Sequence, residues 1–175
     1  LTHKGASNLT EQKAVIRPVI RLLKGQKIMM TADREFHSIF LCHWLKKYQK
    51  KDVYFVLRQK KLTMIKRGIK YCKLSELPAN VGECKLFFNQ IITKILRVGT
   101  YNLLIYKKQQ YRDKSVSEKW YILTNLSSPE QIKKIYSQRM GIEAMFKDYK
   151  TGGYNLESAK ANETRLNNLI LLIAI

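Results

Sequence analysis

Apolar residues return every three to four positions at Val15, Ile16, Val19, Ile20 and Leu23, which predicts an amphipathic helix. Asn8 with Glu11 three residues on reads as a capping box opening it. Pro18 marks a point for a kink and Gly25 a stop. Lys27 to Ala32 is a short apolar run bounded by Gly25 and Asp33, so it reads as a buried strand. From Ser38 to Lys50 the helical period resumes, with Ile39, Phe40, Trp44, Leu45 and Tyr48 on one face. Asp52 to Arg58 is rich in β-formers and predicts a second strand. Strand, helix and strand with short joints imply a parallel βαβ unit. Asp33 then falls at the carboxyl end of its first strand, the edge where open α/β sheets bind ligands. A helix-proximal cap is the plainer reading of that acid.

Beyond Arg58 the pattern changes. Lys60, Lys61, Lys66, Lys70 and Lys73 crowd the chain, and Lys85 to Ile95 and Tyr101 to Lys107 read as strands joined through Gly99. Residues 59–117 are therefore expected to be a basic, mostly β insertion between two parts of an α/β domain, 1–58 and 118–175. Lys119 to Leu126 returns to strand. Ser128, Pro129 and Glu130 then supply a cap, a first-turn proline and a first-turn acid. The helix that follows is expected to pass through Gly141, a point of local weakness, and to stop at Gly152-Gly153. Asn162 is expected to cap a last helix that buries Leu166, Leu169, Ile170 and Ile173.

Charge narrows the partners. Thirty-three Lys and Arg stand against 13 Asp and Glu in 175 residues, a formal net charge of +20. The cations run along the whole chain, and 45% of residues are hydrophobic, so a folded domain facing a polyanion is expected. DNA or RNA fits better than an acidic protein, with an anionic membrane surface as competitor. The apolar end from Leu169 to Ile175 is far short of the ~20 residues of a membrane span. Cys42, Cys72 and Cys84 show no CxxC spacing and cannot all pair internally, which suits a reducing cytoplasm. His3, His37 and His43 are too scattered for a zinc motif.

Tyr136, Arg139, Glu143 and Lys150 stand out on the helix that opens at Ser128, spaced Tyr-x2-Arg-x3-Glu-x6-Lys. At ~100° per residue they fall within an arc of roughly 60°, so one carboxylate sits among two cations and a phenol. Ile135, Ile142, Phe146 and Tyr149 form an apolar stripe beside that row. An ordinary surface helix with Arg–Glu and Glu–Lys neighbours has the same spacing.

That four-residue row resembles the signature of bacterial insertion-sequence transposases of the DDE type. The segment TADREF, with Asp33, is similar to the family's segment bearing its second catalytic Asp. HKGASNLTEQK, near the start, resembles the stretch between its first and second catalytic Asp. The resemblance implies an RNase H-like α/β fold with a mixed sheet, interrupted by a β insertion before the glutamate helix. It implies metal-dependent phosphoryl transfer on DNA, with transposon ends and target as partners and Mg²⁺ or Mn²⁺ in a two-metal site. Asp33 and Glu143 would be metal ligands and catalytic carboxylates, and Tyr136, Arg139 and Lys150 would contact phosphates. Carboxylates suit this role because divalent ions that activate one oxygen and stabilise another need hard oxygen ligands. The family's first catalytic Asp would lie upstream of the residues present, as would the DNA-recognition region. The expectation is thus a fragment that binds DNA but neither cuts nor joins it, with the two-metal site formed only in the complete protein. A basic nucleic-acid-binding module without chemistry is the alternative, and a homodimer is left open as the working form.

Overall fold

A computed structural model describes residues 7–32, 34–93, 98–108 and 119–151, together with 162, 164, 165 and 168. The chain divides into two compact units, Leu1–Tyr136 and Ser137–Ile175.

In the first unit, helix α1 (Leu9–Leu22) opens as its sequence predicts. The Asn8 side chain accepts from the Thr10 and Glu11 amides at 2.9 and 3.0 Å, and Glu11 Oε2 accepts from the Asn8 amide at 2.9 Å. Pro18 stands inside the helix without ending it. The buried stripe is narrower than the hydrophobic pattern predicts. Ile16 and Ile20 are buried, whereas Val15, Val19 and Leu23 are exposed. Only the arc of a helix facing its neighbour can be covered, and five apolar positions exceed that arc.

Strand β1 (Ile28–Ala32), helix α2 (Ile39–Lys46) and strand β2 (Val53–Arg58) form the expected unit. The strands pair in parallel from Ile28 opposite Val53 to Ala32 opposite Leu57. Helix α2 is shorter than its periodicity suggests, giving way to a 3₁₀ turn at Gln49–Lys51. Asp52 then adopts φ 57, a left-handed turn that leads into β2.

The basic span contributes a hairpin, β3 (Met64–Arg67) with β4 (Lys70–Lys73), and two long strands, β5 (Cys84–Ile91) and β6 (Thr100–Lys107). Strand β7 (Lys119–Thr124) follows. The five-stranded sheet runs β1-β2-β7-β6-β5, parallel only between β1 and β2, so it is mixed. The span expected as an insertion thus builds two strands of the common sheet. The predicted strand to Ile95 ends at Ile91 after a bulge between Phe87 and Gln90, where Asn89 has φ 52. Residues 94–97 lie outside the described residues.

Alternation divides the core between the two faces of this sheet. Phe55, Leu57, Leu103, Ile105, Tyr121 and Leu123 pack with Ile16, Ile20, Leu41 and Leu45 of α1 and α2. Val56, Leu104, Tyr106 and Ile122 face the other way, onto Ile132 and Tyr136. Those two belong to helix α3 (Pro129–Thr151), the first turns of which fall in this unit. The fold is accordingly α/β, with helices on both faces of a mixed sheet.

In the second unit α3 continues through Gly141 to Thr151. The Arg165 amide donates to Asn162 Oδ1 at 2.9 Å, the expected cap, and Thr164, Arg165 and Asn168 are helical. Gly152, Gly153 and the predicted apolar face at Leu166, Leu169, Ile170 and Ile173 lie outside the described residues.

Candidate functional site

Two elements carry the residues singled out by sequence. The first is the carboxyl end of the parallel pair. Because β1 and β2 run in the same direction, Ala32 and Leu57 reach that end together. The chain leaves β1 at Ala32 and resumes in a 3₁₀ turn, Arg34–Phe36, with Arg34 and Glu35 exposed. Asp33, between them in sequence, lies outside the described residues.

The second element is α3. Ser128 Oγ accepts from the Gln131 amide at 3.2 Å and donates to Glu130 Oε2 at 3.1 Å, so the expected cap is present, and Pro129 takes the first helical position. Four residues on from buried Ile132 comes Tyr136, 2% exposed. Its ring meets Trp120 edge-on with centroids 4.8 Å apart, and Trp120 meets Tyr106 in the same way at 5.4 Å. The Lys133 ammonium lies 4.4 Å from the Tyr106 ring centroid. Tyr136 is therefore a packing residue in this structure, which the phosphate role implied by resemblance does not require. Arg139 is half-buried one turn further on. Glu143 and Lys150 occupy helical positions of α3, and their side chains lie outside the described residues. Gly141 does not break the helix, and a Cβ added there would meet nothing within 4 Å.

Among the described residues no group of three or more His, Cys, Asp or Glu converges as a metal site. Asp33 and the Glu143 carboxylate are not among them. Shifted titrations fall elsewhere. Burial pushes the Cys42 thiol up to about 12 and raises the Tyr101 phenol. Cys84 is raised by burial, opposed by the positive charge of Lys133 and helped by the negative charge of Glu130. The amide of Asn80, then Lys85, holds half-buried Glu83 below its ordinary value. No helix among the described residues is long and apolar enough to cross a membrane.

A profile of the transposase DDE domain matches residues 4–175. The chain belongs to the transposase DDE domain family. No individually curated protein matches it. Among solved structures it is similar to the piggyBac transposase in a cryo-EM synaptic complex with hairpin DNA, at 17% identity and a TM-score of 0.46. That similarity covers 85% of this chain and 29% of the other.

Proposed function

We propose that this chain supplies two of the carboxylates, and part of the phosphate grip, of the cleavage and joining site of a DNA transposase, of the insertion-sequence type marked by Tyr136, Arg139, Glu143 and Lys150. The observation that carries the reading is the DDE-domain match along nearly the whole chain. Two features of the fold support it. Strand β1 ends at Ala32, at the carboxyl end of a parallel strand pair, the usual ligand edge of such sheets. The helix holding the other carboxylate runs unbroken across all four signature positions.

In this reading Asp33 and Glu143, 110 residues apart in sequence, supply hard oxygen ligands for Mg²⁺ or Mn²⁺. When bound, the ions activate the attacking oxygen and stabilise the leaving one. Arg139 presents a planar fork that can take a phosphate in bidentate fashion. Lys150, ~10 Å along the helix axis from Glu143, meets a neighbouring phosphate as a point charge. Tyr136 anchors the first turns of the helix against Trp120. A net charge of +20 favours DNA as the partner, transposon ends and target alike.

Calorimetry with Mn²⁺ tests the metal assignment. Heat of binding should appear with the chain as it stands and fall in Asp33→Asn and in Glu143→Gln. Equal heats in all three proteins, with DNA binding intact, would instead support a basic binding module without chemistry.

A further inference from the structure

A basic groove lies at the other end of the parallel pair. Arg17, Ile20, Arg21 and Lys24 of α1 and its exit line one side, and Tyr48 and Lys51 of the α2–β2 joint line the other, around a cavity of about 380 Å³. Arg17, Arg21, Lys24 and Lys51 are all exposed, while Tyr48 is half-buried and forms an aromatic wall. Lys51 Nζ sits 5.7 Å from the Tyr48 ring centroid. The Ile28 amide donates to the Asp52 carbonyl at 2.9 Å, which ties together the entries to β1 and β2 beside the groove. The five residues of β1, roughly 15 Å of strand, separate this end from Ala32. Exposed Lys47 and Lys50 extend the positive surface. Between Arg17 and Lys51 the only acids are Asp33 and Glu35, both beyond Ala32 in sequence. Asp52, just past Lys51, accepts from the Tyr54 hydroxyl at 3.4 Å.

We infer that this groove binds the phosphate backbone of duplex DNA, separately from the signature residues of α3. It rests on the DNA reading above and adds a second contact to it. Arg17 and Arg21 stand one turn apart on α1 and Lys24 follows in the turn past its end, making three cationic rungs along one side of the groove. Each DNA strand offers a phosphate for every ~3.4 Å of helix axis, so the rungs and Lys51 can meet several phosphates together. Contacts of this kind position a duplex without reading its sequence. The groove therefore suits DNA of any sequence.

The test is fluorescence anisotropy of a mixed-sequence duplex over a salt series. It compares the parent chain, Arg17→Gln/Arg21→Gln/Lys24→Gln/Lys51→Gln, and a control that loses as many charges, Lys60→Gln/Lys61→Gln/Lys70→Gln/Lys73→Gln. Each lost phosphate contact lowers the slope of log K against log salt by ~0.9. The groove variant is expected to lose a slope of up to about 3.6 and at least tenfold in affinity, with the control losing much less. Arg17→Lys/Arg21→Lys should retain the slope, because lysine still meets phosphate as a point charge. Equal losses in groove variant and control would overturn the groove, as would an unchanged groove variant alongside a weakened Arg139→Gln/Lys150→Gln. Loss of binding to phosphatidylserine vesicles without loss of DNA binding would overturn it in favour of a membrane surface. A parent chain that binds no duplex would instead bring down the DNA reading itself.

Discussion

The indole of Trp120 on β7 and the phenol of Tyr136 on α3 meet edge to face, with centroids 4.8 Å apart and planes inclined by 68°. This contact joins the far face of the sheet to the first turns of α3. Aromatic pairs in this geometry contribute ~0.5–1.5 kcal/mol beyond their burial. Tyr136→Ala should cost ~3–5 kcal/mol in urea unfolding, as for other buried aromatic truncations. Tyr136→Phe keeps the ring and should stay within ~1.5 kcal/mol of the parent. If Tyr136→Phe matched the alanine variant in stability, the ring contact would not be the anchor described here.

Asn125 continues the pairing of β2 where backbone pairing with β7 stops. The β2–β7 register covers Val56 to Arg58. Beyond it, Asn125 Oδ1 accepts from the Phe55 amide at 3.0 Å, and Nδ2 donates to the Val53 carbonyl at 3.1 Å. Asn125→Asp loses the donor and sets a carboxylate beside a carbonyl oxygen. A loss of ~1–3 kcal/mol is expected, with faster hydrogen exchange at the Phe55 amide. Unchanged protection of that amide would rule out the bridging role.

Gly141 sits mid-helix without needing glycine's freedom. Nothing lies within 4 Å of an added Cβ. Gly141→Ala should stabilise the helix by ~0.5–1 kcal/mol by restricting the unfolded chain. Circular dichroism should show an equal or higher melting midpoint. A lower one would mean that the position meets something when the protein is folded in solution.

Cys42 is buried, and burial pushes its thiol from an ordinary 9.0 up to about 12. Between those values the unfolded chain has released a proton that the folded chain still holds. Stability should therefore fall as pH rises through this window, by up to ~1.4 kcal/mol per pH unit. Below pH 9 the contribution is constant. Cys42→Ala should flatten the decline above pH 9. Peptide mapping after alkylation at pH 8 should find Cys42 unmodified in the folded protein and modified after denaturation. Alkylation of folded Cys42 at the rate seen after denaturation would contradict its burial.

Much of the fold is legible in local pattern. The Asn8 box, the Ser128-Pro129 start and the β1–α2–β2 alternation depend on neighbours within a few residues, where capping and periodicity act. The site is legible only as a set of types and spacings. Asp33 after a strand and a Tyr-Arg-Glu-Lys row on one helix resemble the DDE-type pattern, and the spacing treats Tyr136 and Arg139 alike. In the structure the ring of Tyr136 packs with Trp120 and Ile132, whereas Arg139 is half-buried.

Sequence alone determined the helix starts, the parallel strand pair, the basic character and the four-residue signature, because each rests on short-range geometry or on composition. Tertiary structure decided which apolar residues of α1 are covered, since that depends on the width of the surface it meets. It decided that strands from the basic span complete the sheet of β1 and β2, since strand partners are chosen over long sequence distances. It also brought Lys51 and Tyr48 opposite Arg17, Arg21 and Lys24. No local pattern specifies that pairing, because the two sides of the groove come from elements separated by a strand and a helix.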